Sequence, residues 1–164
     1  MLEGVGLESI VDALDRYGAK GVFFFRPELL ITQDDLVRRI VGSGHCIGLL
    51  AEGEDAAVQL ERGNELLGRI ARTAATAAYA ADELRTELES ADWRCWDETF
   101  NAVPRGQERP AGYAQRILNA IGTRNRSVYL TLDDSDATAN VLETALQRFE
   151  EQEYTIVTPI ETRF

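Results

Sequence analysis

One group of side chains that could do chemistry is an acidic cluster, Asp133, Asp134 and Asp136, which follows the apolar segment 127–132. Carboxylates at the C-terminal end of a parallel strand lie where barrel active sites form, and oxygen ligands this close together are able to hold Mg²⁺ or Ca²⁺. Aspartate and serine are also the residues with which a loop caps the helix after a strand, and Asp136 or Thr138 suits that role. We therefore favour helix capping, with a weak cation site and a ligand groove as the alternatives.

The chain has one histidine, His45, and two cysteines, Cys46 and Cys95. A single imidazole excludes a two-histidine metal site and a nucleophile triad with a spare imidazole. We predict a structural hydrogen-bonding role for His45 after the turn at Gly44. Two cysteines form neither a disulfide framework nor a metal knuckle, and both are predicted to be buried thiols.

Helical and strand patterns alternate along almost the whole chain, and these elements must position the side chains above. Helices are predicted at 7–17, 34–41, 56–67, 79–88, 111–121 and 138–150, and strands at 21–25, 45–50, 72–74, 93–96, 127–132 and 154–160. Strands as apolar as GVFFF and SVYLTL indicate parallel pairing with helices packed outside. The pattern therefore predicts an α/β fold.

Composition limits the classes of function. A chain of 164 residues with 45% hydrophobic residues is predicted to be a single domain, 1–164, with a real core. The net charge of −11, from 28 acidic residues against 17 Lys and Arg, repels phosphate backbones and anionic lipid. There is no run of about 18 or more apolar residues and no targeting signal. We therefore expect neither nucleic-acid binding nor membrane insertion.

Segment 36–55, LVRRIVGSGHCIGLLAEGED, resembles the metal-site segment of the polysaccharide deacetylases, the NodB-type carbohydrate esterases. In that family a helix leads into G-H-E-I-G-N-H-[ST]-x-x-H, in which the last two histidines hold a divalent metal. Gly44 and His45 keep the lead-in, but the two ligand positions read Leu50 and Glu54. A lone carboxylate cannot replace two imidazoles, because activation of water needs a closed set of protein ligands and one open position.

Other segments resemble further motifs of the same family. Residues 18–25, GAKGVFFF, resemble its G-V-K-A-T-F-F strand. The C-terminal part resembles its closing unit, in which the position of the general acid histidine falls on Leu132 and the neighbouring aspartate is kept as Asp133. Of the two groove-wall motifs, the arginine motif falls on Arg72 without its prolines, and the strand ending in tryptophan and aspartate falls on Trp96-Asp97.

The resemblance implies a distorted (β/α) barrel of the polysaccharide deacetylase type. The family's T-F-D-D-G-P motif, which supplies a base and a third metal ligand, should precede the first helix, where only MLEGVG stands. Either Glu3-Gly4 is a remnant of that motif, or the chain starts after the first strand and is a fragment of a longer protein. We reject an alignment of this motif with LTLDDSD at 130–136, because the motif opens the barrel and 154–160 fits the closing unit.

The resemblance predicts a catalytically inactive deacetylase-like domain with no metal or other cofactor. It would be a carbohydrate-associated or structural module of a bacterial cell-envelope protein, outside the cytoplasm, with glycan or neighbouring domains as partners. The groove candidates are Arg72, Trp96, Asp97, Asp133, Asp134 and Asp136. The residues expected to be structural near the lost metal site are His45, Leu50, Glu54 and Leu132.

Two alternatives stay open. One is an active metal-dependent deacetylase or hydrolase with a rewired site, in which Asp133, Asp134 and Glu54 surround a metal. The other is a purely structural domain with no ligand. Trp93, Trp96, Phe100 and Tyr113 could offer a surface on which a sugar stacks, although aromatic residues near strands are more often core.

Overall fold

The computed structural model describes residues 6–122, 128–154 and 156. These residues form two compact units, one of residues 20–96 and the other of the described residues in 6–19 and 97–156. In the described part, the helices are α1 (Gly6–Arg16), α2 (Asp34–Gly42), α3 (Ala56–Ala71), α4 (Arg85–Ser90), α5 (Pro110–Gly122) and α6 (Asp136–Glu151), and the strands are β1 (Val22–Phe25), β2 (Cys46–Leu50), β3 (Ala77–Tyr79), β4 (Arg94–Cys95), β5 (Phe100–Asn101) and β6 (Leu130–Thr131). None of the helices in these ranges combines the length and the hydropathy of a transmembrane span.

The first unit is built on a parallel sheet with the strand order β1-β2-β3-β4. Parallel strands need long crossover connections, and α2, α3 and α4 lie in the three connections of this sheet. Helices α2 and α3 pack against β2. One face of the sheet and the apolar stripes of these helices form the core, with Phe23, Phe25, Val37, Ile40, Ile47, Leu49, Leu60 and Leu67 all buried. The predicted α/β fold with parallel pairing is confirmed.

The second unit packs α6 against α1 and α5, beside a short parallel ladder of β5 and β6. Its core consists of apolar side chains from the three helices, including Leu7, Val11, Ile117, Leu142 and Leu146. Tyr113 is also fully buried, and its hydroxyl donates a hydrogen bond of 2.6 Å to the carbonyl of Ala102. This bond ties α5 to the chain leaving β5.

The secondary structure predicted from the sequence is wrong between residues 72 and 88. The strand predicted at 72–74 lies at 77–79, and Arg72 instead ends α3 in a left-handed conformation with φ 52°. The helix predicted at 79–88 is reduced to 85–90 after a short 3₁₀ turn. The alanine-rich segment favours helix locally, but pairing with β2 overrides that propensity.

The side chain of Asn64 helps to place β3. Its Oδ1 accepts a hydrogen bond of 2.7 Å from the amide of Ala75, and its Nδ2 donates one of 3.1 Å to the carbonyl of the same residue. These two bonds hold α3 to the chain that enters β3.

Strand boundaries also differ elsewhere. The strand predicted at 93–96 is reduced to Arg94–Cys95, and β5 was not predicted. Of the strand predicted at 127–132, Leu130–Thr131 is present and residue 127 lies outside the described residues. Most of the strand predicted at 154–160 and the candidate remnant Glu3-Gly4 also lie outside them.

Candidate functional site

At the C-terminal ends of the four strands in the first unit, four side chains lie in one row across the sheet. Leu50 pairs with Tyr79 across β2 and β3. Arg26 continues β1 in an extended conformation after Phe25, which pairs with Leu49. The amide of Trp96 donates a hydrogen bond of 2.8 Å to the carbonyl of Ala78, which extends the ladder by one residue beyond β4. Because side chains alternate between the faces of a sheet, Arg26, Leu50, Tyr79 and Trp96 lie on one face. We call these four residues the edge row.

Two aromatic side chains of the edge row pack on Phe24. The ring of Phe24 lies 5.6 Å from Tyr79 and 5.8 Å from Trp96, centroid to centroid, in tilted arrangements. Gly48 allows Phe24 to lie across β2, because a Cβ at that position would stand 2.5 Å from Phe24 Cδ1. Tyr79 and Trp96 are half-buried. They therefore have the partly exposed, firmly held ring surfaces on which a sugar can stack.

Arg26 is the charged member of the edge row. Its Nη1 and Nη2 lie 3.3 Å and 3.2 Å from the two carboxylate oxygens of Glu52. The Arg26 side chain is 31% exposed and that of Glu52 is 64% exposed. Within the described ranges, the buried Nε of Arg26 has no hydrogen-bond acceptor.

The donor set at the end of β2 does not fit the family's metal. Leu50, at the first ligand position, is a half-buried hydrocarbon, and Glu54, at the second, is exposed in the following loop. Leu132, at the general acid position, is half-buried in the second unit. Among the residues that the structure describes, no three His, Cys, Asp or Glu side chains are grouped so as to hold a metal ion. The alternative of a metal held by Asp133, Asp134 and Glu54 stays a prediction.

His45 lies at the other end of β2. Its Nδ1 accepts a hydrogen bond of 3.2 Å from the amide of Gly21, and its ring packs edge-on against Phe23 at 5.3 Å. His45 and Leu50 are separated by the length of the strand, about 16 Å at about 3.3 Å per residue. The side chain therefore joins the beginnings of β1 and β2 through a structural hydrogen bond, at the end of β2 opposite to Leu50.

In the second unit, Asp133 supports the start of α6. Its Oδ1 accepts hydrogen bonds from the Ser135 amide at 3.2 Å, the Ser135 hydroxyl at 2.7 Å and the Thr138 hydroxyl at 2.5 Å. Ser135 is the N-cap, since its Oγ accepts a hydrogen bond of 3.3 Å from the Thr138 amide. The segment therefore caps a helix, but the capping residue is Ser135 and not Asp136 or Thr138 as predicted.

The remaining candidates fall in different places. Arg72 is exposed on the chain that enters β3, where the strands of its sheet begin, while Asp97 is exposed directly after Trp96. Asp134 is buried, and Asp136 is exposed as the first residue of α6. A groove role for these residues stays a prediction.

Among the other residues singled out, Trp93 and Tyr113 are buried and belong to the core, while Phe100 is half-buried. Cys95 is a buried free thiol, and burial raises its pKa. Cys46 is a free thiol that is only half-buried, so the predicted burial is wrong for this cysteine.

Sequence reasoning missed Arg26, Glu52 and Tyr79. The period of two along β1 already places Arg26 on the same face as Phe24. Tyr79 was not identified because the pattern of its segment predicts a helix and not a strand.

No family model matches the chain, and no curated protein matches it by sequence. Solved structures do match. A CE4 family pseudoenzyme from Bacillus anthracis superposes with a TM-score of 0.82 at 16% identity over 95% of this chain, which spans only 59% of that protein's length. A mutant of the same pseudoenzyme, with restored enzymatic activity, also reaches 0.82 at 16% identity, over 95% of this chain and 61% of the mutant.

The catalytic domain of a peptidoglycan N-acetylglucosamine deacetylase from Eubacterium rectale matches with a TM-score of 0.80 at 16% identity, over 94% of this chain and 83% of that domain. The comparison therefore covers nearly all of the present chain. The fold implied by the sequence resemblance is confirmed, and this chain has the fold of the CE4 polysaccharide deacetylases.

Proposed function

We propose that this chain is a catalytically inactive deacetylase-like domain that binds glycan at the aromatic part of the edge row, as a module of a cell-envelope protein. The observation that carries the proposal is a deacetylase fold with a hydrocarbon, Leu50, at the first ligand position. A leucine cannot bind a cation, and Leu132 at the general acid position has no proton to give. Both chemical functions of the family's site are therefore lost.

The neighbouring structures support this proposal in two ways. One of them is itself described as a pseudoenzyme, and activity was restored in a mutant of it, so the fold persists when the chemistry is gone. Another is described as a deacetylase of peptidoglycan. A glycan of the cell envelope and a location outside the cytoplasm are therefore the partner and the compartment that we propose.

Glycan binding is supported by the surface that Tyr79 and Trp96 form on Phe24. Sugar rings bind proteins through aromatic faces combined with a few polar groups that fix their orientation. Arg26 is such a polar group in the same row of side chains.

The loss of chemistry is tested first. Purified protein should retain no stoichiometric zinc, cobalt or nickel after dialysis, and these metals should leave its melting temperature unchanged, because a ligand that binds only the native state raises it. Acetylated chitooligosaccharides and acetylated xylan should release no acetate above the blank. Retention of about one equivalent of metal would refute the proposal. Acetate release abolished by Asp133→Ala but kept in Asp136→Ala would favour the rewired hydrolase.

Glycan binding is tested by NMR titration with peptidoglycan fragments and chitooligosaccharides. Trp96→Ala should remove the glycan-induced chemical-shift changes, because it takes away one face of the stacking surface. Trp93→Phe, at the buried tryptophan next to β4, is the matched control and should keep them. If Trp96→Ala instead costs about 3–5 kcal/mol of unfolding free energy and the parent responds to no glycan, the structural domain without a ligand becomes the better account.

A further inference from the structure

Arg26 lies beside the position that the family resemblance assigns to a metal ligand. It follows Phe25, whose partner is Leu49, so Arg26 stands next to Leu50 on the adjacent strand. Its guanidinium binds Glu52 at 3.2 Å and 3.3 Å. Glu52 is two residues from Leu50 and two residues from Glu54. The positive charge is therefore held by the segment that contains both ligand positions.

This segment is itself fixed on α3. The Gln59 side chain accepts a hydrogen bond of 3.3 Å from the amide of Glu52 and donates one of 2.7 Å to its carbonyl. Glu52 is thus bonded both to Arg26, which follows β1, and to Gln59 of α3. These bonds hold the guanidinium at the end of β2.

A guanidinium keeps its charge in proteins, so Arg26 repels cations at every pH at which the chain is folded. A divalent ion at about 6 Å from this charge would lose about tenfold in affinity even at the dielectric constant of water, and more in a less polar surrounding. This figure is for an unpaired guanidinium, and Glu52 offsets part of it. The offset is incomplete because Glu52, at 64% exposure, is screened by water more than Arg26, at 31%.

We propose that Arg26 keeps divalent metal ions away from the end of β2. The loss of metal binding then has two causes, the missing ligands and the positive charge of the Arg26 guanidinium. This inference rests on the proposed noncatalytic function and extends it. Histidines introduced at the two ligand positions would not by themselves restore full metal affinity.

The test starts from Leu50→His/Glu54→His, which places two imidazoles at the ligand positions. Zn²⁺ affinity is measured by competition with a chromophoric chelator, with and without Arg26→Gln. We expect Arg26→Gln to raise the affinity by about tenfold or more. Arg62→Gln, at an exposed arginine of α3, removes the same charge elsewhere and should change the affinity by less than about twofold, because it is screened.

Glu52 needs its own control, because removing Arg26 frees a carboxylate that is able to bind Zn²⁺. The comparison is therefore repeated with Glu52→Gln in every variant, as a double-mutant cycle. A gain that persists supports repulsion by Arg26. If the gain in Zn²⁺ affinity disappears with Glu52→Gln, the gain came from the freed Glu52 carboxylate and the proposal is overturned.

Equal Zn²⁺ affinity with and without Arg26 also overturns it, and so does the absence of measurable binding in both forms. Circular dichroism of each variant verifies that it is folded. Failure of the proposed noncatalytic function has a different signature, since the unmodified chain itself would then retain about one equivalent of metal.

Discussion

At the scale of single residues, Glu108 and Arg116 form a paired contact in the second unit. Nε and Nη2 of Arg116 each donate a hydrogen bond of 2.8 Å to one carboxylate oxygen, and Nη2 also donates to the carbonyl of Val103 at 3.0 Å. The guanidinium lies 5.3 Å from the centre of the Tyr113 ring. Hydrogen bonding from Arg116 lowers the pKa of Glu108 from 4.5 to about 2. The ionised carboxylate therefore strengthens the connection between the loop before α5 and that helix.

The pKa of Glu108 predicts a pH dependence. Because the pKa is lowered in the folded chain, the pair stabilises the fold above about pH 4.5 and loses this contribution as the pH falls toward about 2. Glu108→Gln should reduce the urea midpoint at neutral pH, and the difference from the parent should shrink through this range. Glu65→Gln, at an exposed residue of α3, controls for the loss of one negative charge. A difference that stays constant with pH would contradict the prediction.

At the scale of elements, α3 approaches the sheet closely through a glycine. A Cβ on Gly63 would stand 2.7 Å from Leu49 Cδ1 and 3.3 Å from Pro27 Cγ, and Leu49 is fully buried. A Cβ on Gly68, five residues later in the same helix, would meet nothing within 4 Å. One glycine therefore serves packing, while the other only weakens the helix.

These two glycines form a matched pair for a stability test. Gly63→Ala should lower the unfolding free energy by about 1–3 kcal/mol, because the buried Leu49 has little room to move. Gly68→Ala should raise it by about 0.5–1 kcal/mol through helix propensity. Both values come from urea denaturation monitored by circular dichroism. Equal effects of the two substitutions would show that α3 does not pack on β2 through Gly63.

At the scale of the whole molecule, the net charge of −11 limits the partners of the chain. A surface with this excess of carboxylates repels polyanions over about 8 Å at physiological salt. The proposed glycan partner is consistent with this surface, because stacking on Tyr79 and Trp96 does not need a positive patch.

The charge predicts that the chain does not bind nucleic acid or anionic membranes. Double-stranded DNA should show no mobility shift, and vesicles rich in phosphatidylserine should not carry the protein into the pellet, at about 0.15 M salt. The same measurements at lower salt are the control, since electrostatic binding would strengthen there. A mobility shift that weakens steeply with salt would reveal a segregated basic surface and refute the prediction.

The sequence by itself determined most of the element order and the kind of chemistry that is missing. Segments such as GVFFF and the helix before Gly42 carry patterns that neighbouring residues encode locally, so they could be identified without the fold. The single histidine, the leucine at the first ligand position and the leucine at the general acid position could be identified directly, because residue type needs no coordinates. The family resemblance then extended these local observations to the whole fold.

Only the tertiary structure decided which distant residues become neighbours. The edge row joins Arg26, Leu50, Tyr79 and Trp96 through the strand register, and register depends on pairing between separate segments. Strand β3 forms because the sheet outweighs the helix propensity of its alanines. The Tyr113 hydroxyl likewise meets the carbonyl of Ala102, eleven residues away, through the packing of the second unit. The physical reason is that propensity acts along the chain, whereas burial and hydrogen bonding act between segments that the fold brings together.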